Sequence, residues 1–153
     1  MVPRPAWVLA AALCGASSAY AQSAHDQQAA GVPGVTFSAE YDQCLAHADS
    51  NATMHRCVEA ERAHWDARLN DAYRAILATA DFDARGKTEL RDAQRAWVAF
   101  RDKACDAEGD LFAAGGTAAP LIAADCALAQ TARRAADLER IRKSGGPPPS
   151  ANP

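Results

Sequence analysis

The stretch QRAWVAFRDKAC, from Gln94 to Cys105, decides how the rest of this chain is read. Gln94, Trp97, Arg101 and Cys105 recur at helical spacing and share one face of a helix. A Trp and a Cys suit a buried face. An Arg on the same stripe needs a carboxylate or carbonyl partner, because an unpaired buried charge is costly. The stretch therefore predicts an interior polar pairing, its partner drawn from another helix or from the adjacent Asp102. Such a pairing is read first as a structural ion pair behind an apolar seam, and only second as a functional arginine.

Working outward, a helix should run from about Thr88 to Phe112 and carry this stretch. Gly115-Gly116-Thr117 follows as a turn, and Pro120 suits the first turn of another helix. That helix continues through Leu121, Ile122, Cys126, Leu128, Ala129, Leu138 and Ile141, with Arg140, Arg142 and Lys143 where the helix dipole favours cations. On the N-terminal side, Asp81-Phe82-Asp83 and Arg85-Gly86 read as a break. Before it, a long helix from about Ala52 to Ala80 keeps Cys57, Glu61, Trp65, Leu69, Ala72 and Ile76 in register. Asp49-Ser50-Asn51 separates it from a first helix capped by Ser38, with Glu40 in its first turn and Tyr41, Cys44, Leu45 and Ala48 as its apolar stripe. Glu61 is the inward carboxylate of the long helix. It is a candidate partner for Arg101, with Asp66 and Asn70 on its flank. No strand-like alternation occurs, so the fold class is all-α.

The N-terminus reads as a secretory leader over residues 1–21, with Arg4, an apolar run from Ala6 to Leu13, and small residues at Ala19 and Ala21. Leu13 before Cys14 argues against a lipoprotein signal, so Cys14 goes with the leader. No other stretch is long and apolar enough to span a bilayer. The chain has 16 Lys and Arg against 19 Asp and Glu, and the leader would take Arg4 with it. A mildly acidic surface disfavours nucleic acid and favours a cationic partner.

Cys44, Cys57, Cys105 and Cys126 remain, an even set in an exported domain, which reads as two disulfides. Zinc ligands usually come in pairs two to four residues apart, and these do not. The midpoint of Cys44 and Cys57 falls between Ser50 and Asn51, and that of Cys105 and Cys126 between Gly115 and Gly116. Each pair is thus symmetric about a turn, where the arms of a helical hairpin face each other within disulfide reach. The expected pairing is Cys44–Cys57 and Cys105–Cys126, each clasping one hairpin.

Catalytic chemistry finds little support. Glu61-Arg62-Ala63-His64 is one Glu-x-x-His unit where a di-iron bundle needs two. No Ser sits in a nucleophile elbow, and the cysteines are committed to bridges. Neither catalytic residues nor a metal or cofactor is expected. The acidic run Asp102, Asp106, Glu108 and Asp110 leads into the glycine turn; it reads as a solvated helix end or as an edge that meets a basic protein.

The ordered set Cys44, Cys57-x-x-x-Glu61, Asp66-x-x-Leu69-Asn70-x-x-Tyr73, Gln94-x-x-Trp97-x-x-Phe100-Arg101-Asp102-x-x-Cys105, Gly115-Gly116, then Cys126 with Thr131 and Arg134, resembles the LprI-like lysozyme-inhibitor domain. The likeness covers about Tyr41 to Leu138. It implies an exported, helical, disulfide-bonded protein that inhibits lysozyme by binding it, with no enzyme activity of its own. The expected organisation is a leader (1–21), a flexible lead (22–37), one four-helix domain (38–143) and a disordered tail (144–153). Glu61, Asp66, Asn70, Arg101 and Asp102 are expected to form a structural polar core. The expected partner is lysozyme or another cationic cell-wall hydrolase, met by Asp106, Glu108, Asp110 and the loop to Thr117, with Phe112 as anchor. The alternative is a periplasmic accessory or envelope-stress protein that binds another partner or a cell-wall fragment.

Overall fold

Ser38 accepts the Tyr41 amide at 3.1 Å and so caps α1 (Ala39–Ala46). The computed structural model describes residues 35–114 and 116–145. The expected leader, the lead before Val35 and the tail beyond Gly145 lie outside the described residues. So does Gly115.

α2 (Asn51–Ala78) begins with a capping box: Ser50 Oγ accepts the Thr53 amide at 3.2 Å, and Thr53 Oγ1 accepts the Ser50 amide at 2.9 Å. The cap is therefore Ser50, within the Asp49-Ser50-Asn51 break. α3 (Ala84–Ala113) starts about a turn earlier than its apolar pattern predicts, because Asp83 caps it by accepting the Gly86 amide at 2.6 Å. Arg85-Gly86, read as part of a break, lies in the first turn, where backbone amides have no intrahelical acceptor in any case.

α4 (Ala119–Ser144) has Pro120 in its first turn and Arg142 and Lys143 in its last. Ser144, expected to open the tail, is helical, and the Gly145 amide closes the helix on the Ile141 carbonyl at 3.1 Å. A Cβ on Gly145 would lie 2.2 Å from the Phe82 ring, so this end of α4 is packed tightly against the link between α2 and α3.

The described residues form two clasped hairpins, α1–α2 and α3–α4. The Cys44–Cys57 bridge joins Cα atoms 5.7 Å apart, and the Cys105–Cys126 bridge joins Cα atoms 5.4 Å apart. Both are the pairings expected from the spacing. α4 is the central helix, packing along α2 on one side and α3 on the other, while α2 and α3 scarcely touch. Its inner positions explain why: Ala124, Leu128, Thr131, Ala132, Ala135 and Leu138 are buried, and mostly small. Two long helices can approach one another's neighbour closely only across such side chains. Gly109 of α3 does the same at the clasp, where a Cβ would meet the Ala119 carbonyl oxygen at 2.7 Å and Ala123 Cβ at 3.2 Å.

The core lies between α2 and α4, with Tyr41 of α1 at one end and Trp65, Leu69, Ala72 and Ile76 of α2 meeting the alanine face. Arg68 of α2 clamps Glu139 of α4 with two hydrogen bonds of 3.0 Å and stacks 4.0 Å over Trp65. α3 contributes much less. Only Gln94, Cys105 and Gly109 are buried on it, Trp97 is half-buried, and Phe100 is 62% exposed. The Trp-bearing stripe is therefore a half-covered seam and not a core face. Among the described residues, no helix is long and apolar enough to cross a membrane.

Candidate functional site

Arg101 sits on the α4-facing side of α3. Its Nε and Nη2 donate to Asp102 Oδ1 at 2.9 and 2.7 Å, and its Nη1 donates to Thr131 Oγ1 at 3.3 Å. The guanidinium stacks 5.1 Å from the Trp97 ring. Glu61, named above as a partner for Arg101, is engaged elsewhere. Its Oε1 accepts from Ser38 N at 3.0 Å and Trp65 Nε1 at 2.9 Å, and its Oε2 from Ser38 Oγ at 2.6 Å. It ties α1 to α2. Asp66 accepts from Asn70 Nδ2 at 2.9 Å within α2. The five polar residues thus form three separate units: Glu61 with α1, Asp66 with Asn70, and Arg101 with Asp102.

The reason Asp66 and Arg101 do not meet is the spacing of α2 and α3 across α4. A cleft of about 530 Å³ opens between them. Asp66, Asn70 and Tyr73 line its α2 wall, and Arg91, Arg95, Trp97 and Arg101 its α3 wall; Leu69 and Gln94, both buried, lie deeper. Behind Trp97, Arg134 of α4 donates through Nε to Gln94 Oε1 at 2.9 Å, its guanidinium 5.9 Å from the indole ring. Burial pulls the Arg134 pKa down, and the Asp137 carboxylate opposes that only in part. Arg91 makes no ion pair among the described residues. Asp66, Leu69, Asn70, Tyr73, Gln94, Trp97 and Arg101, on which the family resemblance largely rests, all line this cleft.

A second cavity of about 520 Å³ continues past Arg101 toward the Cys105–Cys126 clasp. Glu59 and Arg62 of α2 and Asp102 and Asp106 of α3 line it. Glu59 and Arg62 are paired: the hydrogen bond from Arg62 holds the Glu59 carboxyl below its usual value, and the Arg62 pKa is raised in return. Gln130 Nε2 donates to both sulfurs of the clasp at 3.6 Å.

The acidic run occupies the last turns of α3. Asp106, Asp110, Phe112 and Thr117 are exposed and Glu108 is half-buried. Helical phase splits them: Asp106 and Asp110 share one side, Glu108 and Phe112 the other. None of the three carboxylates forms an ion pair or a side-chain hydrogen bond among the described residues. Asp110 stands close to the negative pole of the helix, which disfavours it, and no basic residue occupies the last turn of α3 to offset it. Leu111 and Phe112 beside them are 80% and 76% exposed. The chain then leaves the helix through Ala114, at φ 45° and ψ 41°, a left-handed conformation expected of the glycines. Leu111 was absent from the sequence-derived edge. Its phase, well away from Cys105 and Gly109, is the signal that marks it as outward.

His64 is exposed, and among the described residues no three His, Cys, Asp or Glu side chains form a metal-ligand set.

Residues 42–138 match the family described as Lysozyme inhibitor LprI. The chain belongs to this family. An uncharacterized protein of Rhizobium meliloti (strain 1021) is 32% identical over 106 residues, an alignment covering 62% of this chain and 76% of that protein. No solved structure matches. The family match spans α1 from Asp42, both clasps and α4 as far as Leu138, so it takes in both the cleft and the acidic helix end.

Proposed function

We propose that this LprI-family chain is an exported protein that binds and blocks a lysozyme or another cationic cell-wall hydrolase, with no catalysis of its own. The observation that carries the reading is the end of α3. Three unpaired carboxylates stand along the last turns of α3, Asp110 nearest the pole that disfavours it, next to two large apolar side chains left in water. Neither feature serves the fold. That placement is mildly unfavourable for Asp110, and a cationic partner would offset it while attracting all three charges. The family supports the hydrolase as partner. The leader-like N-terminus and two disulfides support export.

In this reading the charges and the apolar pair divide the work. Asp106, Asp110 and Glu108 raise the rate of encounter with a basic surface, an effect that falls with salt. Phe112 and Leu111 supply the desolvated anchor that slows dissociation. Thr117 and the loop after Ala114 occlude the sugar cleft of the hydrolase.

The test is lysis of bacterial cells by lysozyme, followed as loss of turbidity with increasing oxidised protein. Wild-type protein slows lysis. The Asp106→Lys/Glu108→Lys/Asp110→Lys variant loses inhibition mainly through association rate, and Phe112→Ala mainly through dissociation rate. No slowing by wild type at large molar excess overturns the function. Inhibition unchanged by the charge reversal, with the same salt dependence, overturns the placement of the contact.

A further inference from the structure

The cleft between α2 and α3 is a feature the proposed docking at the end of α3 does not use. Its composition is unlike a gap left by imperfect packing, which would be lined by apolar side chains and would stay dry. Arg91, Arg95 and Arg101 stand on one wall, and the Asp66–Asn70 pair and Tyr73 stand on the other. Arg95 and Arg101 have local carboxylates, Asp92 and Asp102, each on its own helix. Arg91 has none. Behind them, Arg134 brings a further guanidinium whose charge is poorly compensated. With Arg95 and Arg101 paired, Arg91 is the lining guanidinium left to meet an anion, and Asp66, the carboxylate of the lining, is already engaged by Asn70 on the opposite wall.

Two amide groups in the same cleft are half used. Asn70 donates Nδ2 to Asp66, which leaves its Oδ1 as an acceptor. Gln94 accepts Arg134 on Oε1, which leaves its Nε2 as a donor. No buried polar atom lacks a partner among the described residues, so the Gln94 Nε2 donor is open to solvent or to a ligand. A free acceptor and a free donor of this kind match the N–H and C=O of one secondary amide. The guanidinium of Arg91 matches a carboxylate.

We propose that this cleft binds a small ligand in which a carboxylate lies close to a secondary amide. In it, Arg91 and Arg95 hold the carboxylate, Asn70 and Gln94 hold the amide, and Tyr73 covers the ligand's apolar part. Trp97 is a positioning residue: with the guanidiniums of Arg101 and Arg134 5.1 and 5.9 Å from its ring, it fixes the α3 wall. A volume of about 530 Å³ suits one sugar or two amino-acid residues, at the lower end for ligand sites. Two sources have this chemistry, an N-acyl amino sugar acid and the carboxyl end of an N-acyl peptide. The inference does not rest on lysozyme inhibition.

The experiment is titration of the oxidised full-length mature chain, followed by side-chain amide and indole NMR signals and by calorimetry. The probes are N-acetylmuramic acid, N-acetylglucosamine, N-acetyl-alanyl-alanine and acetate. One of the two probes carrying both groups should bind at least about tenfold more tightly than N-acetylglucosamine and acetate, with shifts at Asn70, Gln94 and Trp97. Which of the two does so identifies the source. Arg91→Gln, which removes no ion pair, should weaken that probe by about tenfold or more. Its melting temperature and its effect on lysozyme should match wild type. Equal binding of all probes, binding of none, or binding untouched by both Arg91→Gln and Asn70→Ala would overturn the proposal.

Discussion

Glu61 offers the sharpest test of how α1 is held. The residue is 4% exposed and takes three hydrogen bonds: Ser38 N and Trp65 Nε1 on one oxygen, Ser38 Oγ on the other. In Glu61→Ala, Ser38 is half-buried and can recover water, so its two lost bonds cost about 1 kcal/mol each. Trp65 is fully buried. Its indole N–H would be left without an acceptor, at about 1–3 kcal/mol. The sum is roughly 3–5 kcal/mol, a large part of the stability of a domain this size. Glu61→Gln keeps a carbonyl for both N–H donors, and its amide can donate to Ser38 Oγ, so it should lose only about 1 kcal/mol. Equilibrium urea unfolding of the oxidised protein measures both. Amide exchange at Tyr41, whose N–H depends on Ser38, reports whether α1 loosens first. A loss under about 1 kcal/mol for Glu61→Ala, or equal losses for the two variants, would refute the assignment of Glu61 as the tie.

Gly109→Ala gains helix propensity of about 1 kcal/mol but pushes a Cβ to 2.7 Å from a backbone oxygen, so it should destabilise by about 1–2 kcal/mol net. A stability gain in urea unfolding would show that α3 and α4 are not in close contact there. Tyr41 has its pKa pushed up to about 12, first by burial and then by the Asp125, Glu61 and Asp42 carboxylates. The folded value lies above the unfolded value of about 10, so this contribution is complete below pH 10 and is lost as pH rises toward 12. Stability should fall by about 2–3 kcal/mol across that window, and Tyr41→Phe should remove this part of the alkaline loss. Urea unfolding at stepped alkaline pH, with phenolate absorbance, checks it; an equal alkaline loss in Tyr41→Phe would refute it.

The hairpins and their clasps were legible because both are local. Ser38 acts on an amide three residues away, and each disulfide joins neighbours across a single bend. Helical phase alone put Cys57, Glu61, Trp65, Leu69, Ala72 and Ile76 on one face. The same reasoning placed the start of α3 a turn late, because Gly86 looks like a breaker until Asp83 is seen to cap it. It also listed Asp106, Glu108, Asp110 and Phe112 together although phase divides them, and it omitted Leu111.

What residue order determined by itself, then, is a pair of clasped helical hairpins and the acidic end of α3, since hydrogen bonds, phase and loop closure act over short stretches of chain. Which hairpin faces touch is a long-range matter. The alanine face of α4 let it serve both α2 and α3, and that central position kept Asp66 and Arg101 on opposite walls of a cleft. Glu61 found Ser38, and Arg68 found Glu139 far along the chain. No spacing rule encodes such partners, because they depend on how two helices cross and on which charges that crossing takes out of water.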